Sequence, residues 1–191
     1  AQRFPESGGA RQCAKIAMAS YLKQYATAKT DCKPLVDQIL GDFDKDKDGK
    51  LTATEIEGAP AAKQAELKAA DVDGNGKIET AEIVRMFTRY ESEHIVEICN
   101  YITSKWPDQP EAQEALATLI SFMITENQLD KAQAYLEKIP EESKQRGMGE
   151  LRLGQALWGS YLRGMHAIHE QERIASEART SAALTPLLLL R

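Results

Sequence analysis

Two short acidic stretches constrain this chain more than any other part of its sequence. The first is DKDKDGKLTATE at residues 44–55, and the second is DVDGNGKIETAE at residues 71–82. Each has oxygen-bearing side chains at its first, third and fifth positions, glycine at its sixth and glutamate at its twelfth. Carboxylates this close together repel one another unless a cation lies among them. The two stretches therefore predict a pair of cation-binding loops.

The spacing of the oxygen atoms suits calcium, which takes roughly six to eight oxygen ligands. Side chains at alternate positions supply single oxygens, position 7 supplies its backbone carbonyl, position 9 acts directly or through water, and the final glutamate supplies two oxygens. Glycine at position 6 allows the positive φ that the sharp turn needs. The predicted ligands are Asp44, Asp46, Asp48, Lys50, Thr52 and Glu55 in the first loop, and Asp71, Asp73, Asn75, Lys77, Glu79 and Glu82 in the second. Apolar residues at position 8, Leu51 and Ile78, predict a short strand pairing between the loops.

Both loops match the pattern D-x-[DN]-x-[DN]-G-x5-E, and in this respect the chain resembles a pair of EF-hands. The resemblance implies two calcium ions, for which magnesium can compete. Residues 56–70 must hold both the exit helix of the first hand and the entry helix of the second, and Gly58-Ala59-Pro60 interrupts them. The exit helix is therefore expected to end near Glu57. Such short helices, with methionines scattered along the chain, favour a structural role for calcium over a sensor role.

Outside the loops, proline signals separate segments whose apolar residues recur every three or four positions, as in amphipathic helices. Such helices are predicted at about 9–28, 80–105, 112–123, 129–139 and 151–162. The stripe expected on the second is Ile83, Phe87, Tyr90, His94, Ile98, Tyr101 and Ile102. The stripe expected on the last is Leu151, Gly154, Leu157, Trp158, Tyr161 and Leu162. Between the third and fourth helices, Asn127 is suited to the left-handed conformation that ends a helix.

Apolar pairs 34 residues apart, Leu119 with Leu153 and Met123 with Leu157, recur in this region together with a closing Pro140. In this respect residues 92–191 resemble tetratricopeptide repeats, although an ordinary helical bundle remains an alternative. The expected fold is an all-α, tetratricopeptide-like helical-hairpin repeat with a compact EF-hand pair inserted into it. Its expected parts are a first repeat helix at 1–30, the EF-hand pair at 31–91 and the repeats at 92–191.

No motif for catalysis emerges, so a non-catalytic protein is expected. His166 and His169 lie three residues apart without an evident third metal ligand, and His94 is expected to be packed. Cys99 lies roughly 140° around its helix from His94, which is poorly placed for activating a nucleophile. The three cysteines, Cys13, Cys32 and Cys99, allow at most one disulfide.

The composition excludes some partners. A net charge of −5 without a basic stripe argues against nucleic acid, and the longest aliphatic run, at 187–190, is too short for a membrane span. The tetratricopeptide resemblance implies binding of a protein partner, or self-assembly. A calcium-switched regulator and a non-catalytic segment or subunit of a larger enzyme or redox complex are the alternatives. Millimolar external calcium would keep such loops filled, which favours an extracytoplasmic bacterial setting.

Overall fold

The protein, described by a computed structural model over residues 7–72 and 74–188, divides into two compact units, Ala1–Leu119 and Ile120–Arg191. Side chains are described except at 167, 170 and 177–188. The chain is mostly helical, as predicted. The first unit contains α1 (Gly8–Asp31), α2 (Lys33–Phe43), β1 (Lys50–Thr52), α3 (Ala53–Ile56), α4 (Ala61–Lys68), β2 (Lys77–Glu79), α5 (Thr80–Lys105) and the start of α6 (Pro110–Thr125). The second contains the end of α6, then α7 (Leu129–Leu136) and α8 (Lys144–Leu188).

Helix α1 begins where Ser7 caps it, because the Ser7 hydroxyl oxygen accepts a hydrogen bond from the Ala10 amide at 3.1 Å. The helix packs along α5 and buries Ala10, Ala14, Met18 and Tyr25. Two ion pairs join α1 to the start of α6. Lys15 Nζ lies 2.7 Å from Glu114 Oε2, and Arg11 Nε lies 3.5 Å from Glu111 Oε1. These pairs are on the rim of the packed surface and supplement its apolar contacts.

The region around the acidic loops has its own apolar core. Its buried members are Cys32, Val36, Ile39, Leu51, Ile56, Leu67, Ala70, Ile78 and Ile83. They come from α2 and the residue before it, both strands, α3, α4 and the turn after it, and the first turn of α5. Pro60 precedes α4, and α3 has only four residues, so the short exit helix predicted from Gly58-Ala59-Pro60 is confirmed. One compact core therefore holds both loops.

Helix α5 spans the predicted residues, but the predicted stripe along it is partly wrong. Tyr90 is 63% exposed and Tyr101 38% exposed. The buried line is Ile83, Thr88, Ile95, Cys99 and Ile102. Thr88 can occupy this line because its hydroxyl donates to the Val84 carbonyl at 3.1 Å, which satisfies the buried polar group. The predicted stripe shares only Ile83 and Ile102 with the buried line. The two differ because the prediction treats aromatic residues as buried and threonine as exposed.

In the second unit, the end of α6, at residues 120–125, and α7 form a helical hairpin. Asn127 has a φ of 56° and ends α6, as predicted, and the Gln128 amide donates to the Met123 carbonyl at 2.8 Å. Along the whole of α6, which begins in the first unit, six apolar residues spaced three or four positions apart are buried: Ala112, Ala115, Leu116, Leu119, Phe122 and Met123. The hairpin is consistent with an all-α fold, whereas the tetratricopeptide-like repeat stays a prediction.

Helix α8 has 45 residues, far more than the segment that the sequence pattern indicated. Its predicted buried face is wrong: Leu151, Leu157, Trp158, Tyr161 and Leu162 are between 40% and 62% exposed, while Leu153 is buried. The physical reasons are direction and length, because most of these side chains lie on the side of α8 away from Gly149, which packs on α7. Helix α7 has eight residues, about 12 Å, and can cover only part of α8. None of the described helices is long and apolar enough to cross a membrane.

Candidate metal centre

The two-stranded sheet between β1 and β2 aligns the acidic loops. The strands are antiparallel, with Lys50 opposite Glu79, Leu51 opposite Ile78 and Thr52 opposite Lys77. Leu51 and Ile78 are at most 1% exposed, so the predicted apolar pairing is confirmed. A further bond crosses between the loops, from the Thr80 hydroxyl to the Gly49 carbonyl at 2.9 Å. The ladder therefore holds the two loops side by side.

Each loop turns through residues with positive φ. Gly49 and Gly76, at position 6, have φ values of 79° and 76°, as the sharp turn requires. A second such residue occurs at position 4, which the sequence pattern did not predict. It is Gly74 in the second loop, with φ 70°, and Lys47 in the first, with φ 60°. The first loop therefore has a non-glycine residue in a conformation that is costly for most side chains.

The glutamate at position 12 joins the beginning of each loop to its end. Glu55 Oε1 accepts from the Lys45 amide at 2.9 Å, and Glu55 Oε2 accepts from the Thr52 amide at 2.8 Å and the Thr52 hydroxyl at 2.7 Å. Glu82 is equivalent: its carboxylate accepts from the amides of Val72, at 2.8 Å, and Glu79, at 3.0 Å. These contacts fix both carboxylates at the positions from which the pattern expects two ligand oxygens.

Hydrogen bonds between residues two to five positions apart shape the first half of each loop. Asp44 Oδ2 accepts from the Gly49 amide at 3.0 Å, and Asp71 Oδ2 accepts from the Gly76 amide at 3.0 Å. At position 5, Asp48 and Asn75 each accept from the amide two residues later, at 2.8 Å. The two position-1 carboxylates differ in their second oxygen. Asp71 Oδ1 also accepts from the backbone, from the amides of Gly74 at 2.8 Å and Asn75 at 3.2 Å, whereas Asp44 bonds to the backbone through Oδ2.

The oxygen atoms of the first loop are arranged as a hard cation requires. Carboxylate oxygens of Asp44, Asp46 and Asp48 all lie within 4.8 Å of one another. Asp44 Oδ1 is buried and has no hydrogen-bond partner among the described residues. A buried carboxylate oxygen without a partner is energetically costly unless a ligand satisfies it. The donors are all oxygens, which are the ligands that calcium and magnesium prefer.

The pKa values of two loop carboxyls are shifted. Hydrogen bonds from the Thr52 amide, the Thr52 hydroxyl and the Lys45 amide lower the pKa of Glu55 to about 2, so this side chain is ionised at neutral pH. At Asp46, the hydrogen bond from the Asp48 amide lowers the pKa, but desolvation and the neighbouring negative charges outweigh it. The pKa of Asp46 is therefore raised. This repulsion is what a divalent cation among these carboxylates would relieve.

The second loop is described except at Asp73, the predicted ligand at position 3, which lies outside the described residues. Asp71, Asn75, Lys77, Glu79 and Glu82 lie in positions equivalent to those of the first loop. Sequence reasoning missed one contact of this site. Lys50 Nζ forms an ion pair with Glu79 Oε1 at 2.9 Å, between the two loops. Charge complementarity could have suggested it, but only once the strand register was known.

The other residues considered for chemistry lie apart from the loops. His94 packs between the rings of Tyr21 and Tyr90, with centroid distances of 5.1 and 4.2 Å. His166 and His169 are both exposed on α8. The three cysteines are free thiols: Cys13 is exposed, whereas Cys32 and Cys99 are buried. Burial raises the pKa of Cys99 to about 12, so this thiol is protonated at neutral pH.

Comparison with known families identifies the loops. The EF-hand family model matches residues 35–57 and 64–87, adjacent segments that each contain one complete acidic loop. The paired EF-hand prediction is therefore confirmed, and EF-hands indicate calcium binding. No curated protein and no solved structure matches the chain.

Proposed function

We propose that this chain is a non-catalytic protein in which two calcium ions stabilise a helical scaffold for protein–protein interaction. The observation that supports it most strongly is the buried Asp44 Oδ1, to which none of the described residues donates a hydrogen bond, beside the carboxylates of Asp46 and Asp48. In the first loop these oxygens, the Lys50 carbonyl, Thr52 and Glu55 would hold one ion. The equivalent residues from Asp71 to Glu82, including Asp73, would hold the second. Magnesium would compete with calcium at both.

Helix α5 explains how bound calcium would stabilise the scaffold. Its first turn contains Glu82, the last residue of the second loop, and its later turns bury Ile95 and Cys99 where α5 packs on α1. One continuous helix therefore joins a metal site to the α1–α5 packing. Calcium would fix the direction of α5 at its beginning and thereby the helix against which α1 packs. The EF-hand pair then acts as an insertion between two helices of one packed unit.

Thermal unfolding in calcium and in chelator tests this function. A ligand at 100 times its dissociation constant adds about 2.7 kcal/mol of stability for each site. We therefore expect the melting temperature to rise clearly with calcium and to fall again with excess chelator. Magnesium at the same concentration is the control and should have a smaller effect. A melting temperature that calcium does not change would refute calcium-dependent stabilisation.

The apolar face of α8, defined as Leu151, Leu157, Trp158, Tyr161, Leu162 and Ile168, supports the interaction role. Trp158 and Tyr161 are 62% and 57% exposed, and their rings stack with centroids 5.6 Å apart. Gly149 of α8 packs on α7. Trp158 lies nine residues later and therefore on roughly the opposite side of α8. The six side chains together expose roughly 600 Å². Two copies joined through this face would bury about 1,200 Å², the lower end of standard interfaces.

A second copy of this chain is the occupant that we propose. Sedimentation velocity should show a dimer at micromolar concentration, and Trp158→Ser should weaken it at least tenfold. Arg163→Ser, an exposed residue of the same helix about 140° around it from Trp158, is the control and should leave the dimer intact. A chain that stays monomeric at all concentrations would exclude the second copy and leave a different protein as the partner.

A further inference from the structure

The strand register places position 7 of each loop opposite position 9 of the other loop. Lys50 of the first loop faces Glu79 of the second, and Lys77 of the second faces Thr52 of the first. The arrangement is symmetric in the backbone, because both loops have the same length and the strands are antiparallel. It is asymmetric in charge, because a lysine faces a carboxylate at one end of the ladder and a hydroxyl at the other.

The two ninth-position side chains consequently have different partners. Glu79 Oε1 accepts from Lys50 Nζ at 2.9 Å, so a cation of the first loop engages a predicted ligand of the second. The Thr52 hydroxyl instead donates to Glu55 Oε2 at 2.7 Å, within its own loop. Hence the second site shares one of its predicted carboxylates with a lysine of the first loop, whereas the ninth-position side chain of the first site bonds within its own loop.

We propose that Lys50, through its ion pair with Glu79, weakens calcium binding in the second loop and makes the two sites unequal. This inference rests on the proposed calcium binding. Calcium needs Glu79 at the second site, either as a direct ligand or through a water molecule. An ammonium group 2.9 Å from the carboxylate offsets its charge, and binding must either break the ion pair or accept a weaker ligand.

The expected size of the effect is modest, because both side chains are partly exposed, at 40% and 47%. Ion pairs in such settings change equilibria by about two- to fivefold. The effect should also decrease as salt concentration rises, because solvent ions screen exposed charges.

The test compares calcium titrations of Lys50→Met and Lys77→Met by isothermal calorimetry. Both changes remove one positive charge beside the loops, but only Lys50→Met frees Glu79. Both are made in a Glu55→Gln background, in which the weakened first site leaves the second to dominate the titration. We expect Lys50→Met to bind calcium at the second site about two- to fivefold more tightly than Lys77→Met. Equal affinities would overturn the proposal.

A double-mutant cycle separates this inference from a general charge effect. With Glu79→Gln also present, Lys50→Met and Lys77→Met should have the same effect, since no carboxylate remains to be freed. A persisting difference would refute the role of the ion pair. Lys50→Gln serves as a second variant if circular dichroism shows that Lys50→Met perturbs the fold. If the unaltered protein binds no calcium, the proposed function itself fails, which is a result distinct from equal affinities of the two variants.

Discussion

Glu55 shows how one side chain closes a loop and also prepares it for a metal. Its carboxylate accepts three hydrogen bonds from Lys45 and Thr52 and is only 6% exposed. Both oxygens are therefore held in place before any ion binds, which reduces the entropy lost on binding. The bond from the Thr52 amide also belongs to the capping box that begins α3. A single residue thus serves the backbone and the site together.

Glu55→Gln should lower the calcium affinity of the first site at least tenfold, because the amide has no charge and offers one oxygen instead of two. Calorimetry measures the affinity directly. Glu57→Gln is the matched control, since it removes an equal charge two residues later, on an exposed side chain outside the loop. Equal loss of affinity in both variants would show that the site responds to net charge and not to the ligand at position 12.

Much of the site could be predicted at the residue scale, since the ligand pattern depends only on spacing along the chain. The positive φ of Gly49 and Gly76 follows from the same pattern. The positive φ of Lys47 does not, because lysine has no preference for that conformation. The contact of Lys50 with Glu79 required the strand register, which brings together residues 29 positions apart in the chain.

Gly149 illustrates packing between elements. A Cβ atom there would lie 2.8 Å from Leu136 Cδ1 of α7 and 3.5 Å from Ile120 Cδ1 of α6. Both neighbours are buried, so neither side chain can move far without disturbing the core. The absence of a side chain at Gly149 therefore lets α8 approach the hairpin closely.

Gly149→Ala and Gly147→Ala should differ in stability by about 1–3 kcal/mol. Both gain about 0.5–1 kcal/mol from the better helix propensity of alanine. At Gly147 nothing lies within 4 Å of the added Cβ, so the gain should remain. At Gly149 overpacking against Leu136 should cancel or exceed it. Urea unfolding measures this difference in the free energy of unfolding. Two equally stabilised variants would show that Leu136 and Ile120 accommodate the added methyl group without loss of stability.

At the element scale, local signals were reliable and packing signals were not. The bounds of α5 follow from nearby residues, namely the capping pair at the start of the helix and the proline after Trp106. The turn at Asn127 is likewise a local feature. The face that α8 buries depends on which elements lie beside it. A periodic apolar stripe looks the same whether the chain itself or another molecule covers it, so the sequence could not identify the exposure of Trp158.

At the scale of the whole molecule, calcium should act beyond its own loops. Hydrogen exchange measured by mass spectrometry should show slower exchange not only in residues 44–55 and 71–82 but also along α5 and α1. The reason is that α5 continues without a break from Glu82 to the residues that pack on α1. Segments of α7, in the other unit, serve as the internal reference and should change little.

Slower exchange confined to the two loops would contradict a stabilising role for calcium in the scaffold. A large change of exchange in both directions, with some helices becoming less protected, would instead indicate a calcium-dependent switch. The two outcomes distinguish the structural hypothesis from the regulatory one by the sign of the change. Exchange rates also report on each unit separately, which a single melting temperature does not.

The continuity of α5 limits how its length can vary. An added residue in a helix turns everything after it by about 100°. An insertion next to Arg89 would leave Glu82 and the loops in place, but it would rotate Ile95, Cys99 and Ile102 away from α1 and bring polar neighbours against it. Substitutions at exposed positions of α5 do not rotate the residues that follow them. In relatives of this protein, we therefore expect α5 to tolerate substitution far more readily than insertion or deletion.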